Sequence, residues 1–194
     1  MNHNFKYNIK ESIEDIIKSS IHTRLKSRLK KNMQSVYEDI HLNMGVYLGA
    51  FIKIPMTIWL TPRVMELTEY KCRVAIPLSV RSKNHLASMY LGSLCVGADL
   101  ACGLLALKHI RDSKKETGHD VSLVFKDFQA DFLKRAQGRT FFTCSEGEAI
   151  RACVQRALIT GERCERSVCV NAYTGEDIQT PVASFQLTLS LKRK

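Results

Sequence analysis

Apolar residues Ile13, Ile16, Ile17, Ile21, Leu25 and Leu29 recur at three- and four-residue steps, with Lys, Arg and Glu between them. That spacing predicts a helix over residues 10–40. Further on, "KCRVAIPLSVR" (Lys71 to Arg81) alternates and is rich in β-branched residues, which predicts a strand, with Pro77 marking an edge or a bulge. "NHLASMYLGSLCVGADLACG" (Asn84 to Gly103) is almost wholly small or apolar and holds one acid, Asp99. Its apolar character continues to Asp112, enough for a helix of about 20 residues and roughly 30 Å. The polar run "SKKETGHD" reads as a loop. A strand follows over Val121 to Ala136, with alternation at Phe128, Ala130 and Phe132, and another over Arg139 to Glu146. "GEAIRACVQRALITGE" reads as a short helix ending at Gly161. "RSVCVNAYTG" and "PVASFQLTLSLKR" close the chain as two strands separated by a "TGEDIQT" turn. Strands gathered around one long helix predict an α+β fold, with the helix on one face of an antiparallel sheet.

The chain has 194 residues, enough for one domain with a core that needs no staple. "MGVYLGAFIKIPMTIWL" (Met44 to Leu60) is mostly apolar, but it contains Lys53 and Pro55 and is shorter than a spanning helix. It reads as core or as an interfacial segment. The net charge of +10 suits anionic partners, but much of the excess sits in "KSSIHTRLKSRLKK" and the final "KRK". No pattern for specific nucleic-acid reading is present. The basic helix has two readings: a helix packed on the domain or a partner subunit, and a peripheral contact with an anionic membrane. The seven cysteines form no CxxC pair and show no zinc spacing, so no metal site is expected. With no signal peptide evident, they favour a reducing, cytoplasmic setting.

The stretch "RSKNHLASMYLGSLCVGADLACG" resembles the helix entrance of hotdog-fold acyl-CoA thioesterases, both the phenylacetic-acid-pathway type and the DUF4442 group of thioesterase-like proteins. The DUF4442 pattern reads approximately N-x-x-G-T-H-F-G-G-S-L-x-x-x-A-D. Laid on it without gaps, this chain supplies Asn84, Gly92, Ser93, Leu94, Ala98 and Asp99. It departs at Ala87 for the first glycine, Met89 for the histidine, Tyr90 for the aromatic and Leu91 for the first paired glycine. "FQADFLKRAQG" also resembles a family segment, with Arg135 in place of its proline, and "GAFIKI…LTEYKCRVAIPLSVRSKN" follows the family order of helix, short strand and long strand. The resemblance spans about residues 45–192. It implies a hotdog domain over 45–194, in which a sheet wraps a central helix, and a basic helical extension over 1–44.

The resemblance also implies a chemistry. Gly92, near the helix start, would offer its N–H to the thioester oxygen, an oxyanion-type contact worth about 3 to 4 kcal/mol in well-studied cases. Asp99 would be the nucleophile or the general base on water, and Asn84 would orient a water or the carbonyl. Tyr90, Ser93 and Met89 would line the acyl site. Arg81, Lys83, Lys134, Arg135 and Arg139 would meet the phosphates of coenzyme A, which arrives as part of the substrate rather than as a cofactor. A homodimer is implied, with a tetramer as the larger option. Two other readings stay open. One is a non-catalytic hotdog module that binds acyl-CoA or an acyl chain; the other leaves Asp99 as a buried, paired carboxylate.

Overall fold

The structure, a computed structural model, describes residues 54–175 and 179–194. The basic helix expected over residues 10–40, most of the apolar Met44 to Leu60 segment and the middle of the "TGEDIQT" turn lie outside the described residues. The elements run α1 (Pro55–Trp59), β1 (Arg63–Leu67), β2 (Cys72–Ile76), α2 (Leu91–Thr117), β3 (Val121–Phe132), β4 (Thr140–Cys144), α3 (Gly147–Thr160), β5 (Cys164–Thr174) and β6 (Ala183–Arg193). The strands form one six-stranded sheet in the order β1-β2-β4-β5-β6-β3, and each neighbouring pair is antiparallel. The long helix packs on this sheet, as the pattern of the sequence predicts.

Helix α2 buries Leu94, Ala98, Ala101, Cys102, Leu105 and Ala106, at the three- and four-residue steps that make one face. Its partners in the main core include Val74, Ile76, Phe142, Val170, Phe185, Leu187 and Leu189. Small residues let the helix lie close to the sheet. At Gly97 a Cβ would stand 2.5 Å from Phe142 Cδ2, with two other ring atoms closer still. At the far end His109 Nε2 lies 2.9 Å from the Glu69 carbonyl oxygen and donates to it in the Nε2-protonated tautomer, tying α2 to the β1–β2 turn. A smaller apolar cluster lies under α3, built on Ile110, Cys153, Val154, Ala157, Leu158 and Leu191.

The element boundaries depart from the sequence reading in several places, among them the end of β3, which stops at Phe132 rather than running to Ala136. Residues 84–90 form a loop, and α2 starts at Leu91. At its other end α2 continues through Ser113–Thr117, which read as a loop because those residues are polar. A Lys108 Nζ–Asp112 Oδ2 pair at 2.6 Å and two lysines in the last turn suit an exposed helix end. Strand β2 stops at Ile76, just before Pro77, which has no N–H to give to the ladder. Helix α3 ends as expected, with Gly161 in the left-handed region at φ +71°.

Candidate active site

A one-sided apolar slot lies between β3 and α2. Strand β3 has a register shift between Phe125 and Asp127, so Lys126 is an extra residue in the ladder. The bulge keeps Phe125 and Phe128 on the same face, although they are three residues apart. Phe125, Phe128, Ala130 and Phe132 then pair with Leu189, Leu187, Phe185 and Ala183. Those four β6 residues are at most 1% exposed, while Phe125, Phe128 and Phe132 are 36%, 39% and 47% exposed. The core face of β3 is therefore only partly covered. Phe185 forms its floor, with ring centroids 5.7 Å from Phe128 and 6.1 Å from Phe132.

Helix α2 supplies the opposite wall. A Cβ on Gly103 would stand 3.7 Å from Phe125 Cζ and 3.9 Å from Asp99 Oδ1, so the Asp99 carboxylate and the Phe125 ring border the same space. Asp99 is half-buried, and burial holds its carboxyl above the usual carboxylate range. Among the described residues no neighbouring charge or hydrogen bond offsets that burial. Gly92 lies seven residues earlier, on the same face of the helix and about 10 Å along its axis. No side chain caps this end and no acid lies in its first turn. The N–H groups of Leu91, Gly92 and Ser93 therefore point out of an open, partially positive helix terminus.

The surrounding loops converge on that terminus. The Met89 N–H donates to the Ala136 carbonyl at 2.9 Å, and the Tyr90 N–H to the Ser82 carbonyl at 2.7 Å. These bonds bring Lys83, Lys134 and Arg135 to loops beside the start of α2. Arg139 immediately precedes β4, and the Arg81 guanidinium lies over the Trp59 ring at 5.1 Å. All five basic residues are exposed. Tyr90 and Leu91 are also exposed, and the Tyr90 ring stands over Gly92, its Cε1 2.8 Å from where a Gly92 Cβ would lie. Met89 and Ser93 are buried, and Met89 belongs to the main core. Asn84 Oδ1 accepts from the Leu86 N–H at 2.9 Å and from the Ser88 N–H and hydroxyl at 3.2 Å, so it braces the loop. Among the described residues no cluster of three His, Cys, Asp or Glu side chains has the makings of a metal site.

Of the sequence-predicted residues, the structure therefore brings Asp99, Gly92 and Tyr90 to one open face and turns Met89 and Ser93 inward. The slot-lining Phe125, and the role of Phe128 and Phe132 as lining residues, escaped sequence reading. The signal was the three-residue step from Phe125 to Phe128 in "FKDF", which breaks strict alternation as a bulge does.

The fold occurs in solved structures. A Pseudomonas aeruginosa protein described as "Probable Thioesterase" has a TM-score of 0.62 at 22% identity, covering 73% of this chain and 89% of its own. A Chlorobaculum tepidum protein of unknown function has a TM-score of 0.65 at 13% identity, covering 80% and 97%. A thioesterase family protein from Silicibacter pomeroyi has a TM-score of 0.56 at 15% identity, covering 78% and 99%. No curated protein matches by sequence. The family described as "Domain of unknown function (DUF4442)" matches residues 46–191, well over half of the chain. With its six-stranded sheet wrapped on one long helix, the chain belongs to the DUF4442 family and has the hotdog fold of the thioesterase-like proteins.

Proposed function

We propose that the protein hydrolyses acyl-CoA or a related acyl thioester, and that it does so as a homodimer. The observation that carries this reading is the Asp99 carboxylate: half-buried, uncompensated among the described residues, and opening on an apolar slot on the helix face it shares with Gly92. A thioester carbonyl seated at the start of α2 accepts a hydrogen bond from the Gly92 N–H. As negative charge develops on that oxygen, the N–H groups and the helix dipole stabilise it. Asp99 takes a proton from water or attacks the carbonyl itself, and its raised pKa suits a general base. The acyl chain lies against Phe125, Phe128 and Phe132. The phosphates of coenzyme A meet Arg81, Lys83, Lys134, Arg135 and Arg139.

Two distances favour the dimer. Attack needs about 3 Å between the reacting atoms. On one helix the Gly92 N–H and Asp99 are separated by about 10 Å of axial rise. That separation leaves room for a second copy facing the slot to supply one of the two groups. The 12-residue β3 edge, with no strand beyond it among the described residues and partly exposed phenylalanines on its core face, is the surface such a copy would cover. A non-catalytic acyl-binding role is the second reading, favoured by the buried apolar Met89 where the resembled pattern has histidine. The deciding assay is thioester hydrolysis across an acyl-CoA panel from acetyl to long-chain, comparing wild type with Asp99→Ala. Turnover lost in the variant is the expected result. Tight acyl-CoA binding without turnover by wild type selects the second reading.

A further inference from the structure

Away from the slot, α3 and β5 bring two thiols together. The Cys153 thiol lies 2.8 Å from Cys164 Sγ, and both cysteines are free. Cys153 is on α3 and Cys164 opens β5, with the Gly161 turn between them. Cys153 belongs to the smaller core cluster, while Cys164 is half-buried and packs against it. We propose that Cys153 and Cys164 form a reversible disulfide by exchange with a low-molecular-weight disulfide such as glutathione disulfide. The pair is an oxidation site that clamps the end of α3 to the first residue of β5.

Access sets the order of events. Cys164 is the more accessible member, so its thiolate attacks one sulfur of glutathione disulfide. That S–S bond breaks, one glutathione leaves and takes a proton, and Cys164 is left in a mixed disulfide. The Cys153 thiol then gives its proton to water and attacks Cys164 Sγ, and the second glutathione leaves. Two protein thiols are oxidised by two electrons, and one small disulfide is reduced to two thiols. Burial pushes the Cys153 thiol up to about 12, and the Cys164 sulfur adds to that, while Arg166 and Arg156 pull the other way. Capping Cys164 as a mixed disulfide removes its contribution and eases the second step.

Selectivity comes from the same contrast. Cys102 and Cys144 also share a hydrogen bond, and Cys72 pairs with Cys144 across the sheet, but all three are 0% exposed. Cys169 is exposed, and its hydrogen-bond partner among the described residues is the Glu146 carboxylate, not a sulfur. Among the described residues, Cys153–Cys164 is the thiol pair that combines a touching partner with a half-exposed entrance.

The test is peptide mapping of the full chain after incubation with glutathione disulfide and alkylation of the remaining thiols. Trypsin cleaves after Arg151, Arg156, Arg163 and Arg166, so the expected product is Ala152–Arg156 joined to Cys164–Arg166. Oxidation should raise Tm by about 6–10 °C, as closing a short loop implies. Cys153→Ala should stop at a glutathione adduct on Cys164, and Cys169→Ser should leave the linked peptide intact. Separate alkylation of Cys153 and Cys164 in oxidised wild type, or Cys164 joined to any other cysteine, overturns the proposal.

Discussion

Two glycines on α2 should respond to alanine in opposite ways. At Gly97 the new methyl would stand 2.5 Å or less from three atoms of the Phe142 ring, against an ordinary contact of 3.4–4 Å. Helix or ring must therefore move by about 1 Å. Phe142 is 0% exposed, and its ring centroid lies 6.4 Å from that of Phe185, so the ring has no solvent side to turn into. Overpacking of this kind costs about 1–3 kcal/mol, and the sealed site puts Gly97→Ala at the upper end. Helix propensity returns about 1 kcal/mol. The net expectation is a loss of about 2 kcal/mol, or a Tm lower by about 4–8 °C. At Gly103 the nearest atoms are 3.7 and 3.9 Å away, so the methyl fits and propensity dominates. Gly103→Ala should raise Tm by about 2–4 °C. The two also separate in activity. Phe185 carries both Phe142 and the slot rings of Phe128 and Phe132, so Gly97→Ala should disturb the slot from behind. A shift of about 1 Å in a reacting geometry can cost 10²-fold in rate. Thermal unfolding with acyl-CoA hydrolysis measures both, and Gly97→Ala/Phe142→Leu should recover much of the loss. A Gly97→Ala variant as stable as Gly103→Ala, or no coupling to Phe142, would refute the close-packing argument.

Four further variants test the same geometry. Asp99→Asn should lower kcat/KM by about 10²–10⁴. Because burial raises the folded-state pKa of Asp99, the unfolded chain releases that proton first as pH rises, and stability falls across the interval between the two values. Asp99→Asn should thus be more stable than wild type in urea at about pH 7, with the difference gone at about pH 3. Phe128→Glu should place a charge on the open β3 face and shift the protein from dimer to monomer in sedimentation, with hydrolysis lost alongside; an unchanged dimer would remove β3 as the interface. In the loop before α2, Asn84→Ala should cost about 1–2 kcal/mol by freeing three donors. Ala87→Gly should leave stability unchanged or raise it by up to about 1 kcal/mol, because Ala87 sits at φ +54°. Both are read by chemical denaturation.

What the sequence made legible was periodicity. The buried stripe of α2, the succession of elements from the long helix onward and the Gly161 helix end all follow from spacing and local signals in the chain. What stayed hidden was set by contacts that no local pattern encodes. The polar Ser113–Thr117 turn looks like a loop because nothing buries it; its helical state depends on continuing a helix nucleated in the core. The β3 slot was hidden for the opposite reason. Its phenylalanines look like ordinary core residues, and only the three-dimensional register reveals that α2 leaves them partly open.

The loop of residues 84–90 ties these points to the chemistry. The resembled motif supplies asparagine and then glycine three residues on. Here the asparagine oxygen accepts two backbone N–H groups and one hydroxyl inside its own loop, and the third position has left-handed backbone. Both features are those of a turn that must close tightly, whatever chemistry lies beyond it. What the turn achieves is the position of the next residues: the Met89 N–H meets Ala136, the Tyr90 N–H meets Ser82, and the chain enters α2 with its first N–H groups uncapped. Replacing the resembled histidine with Met89 adds a buried side chain to the core without disturbing that entrance. In the proposed reaction the polar work then falls to two groups, the Gly92 N–H and the Asp99 carboxylate. The proposed reaction therefore stands or falls on Asp99, and a Met89→His variant should change hydrolysis far less than Asp99→Asn does.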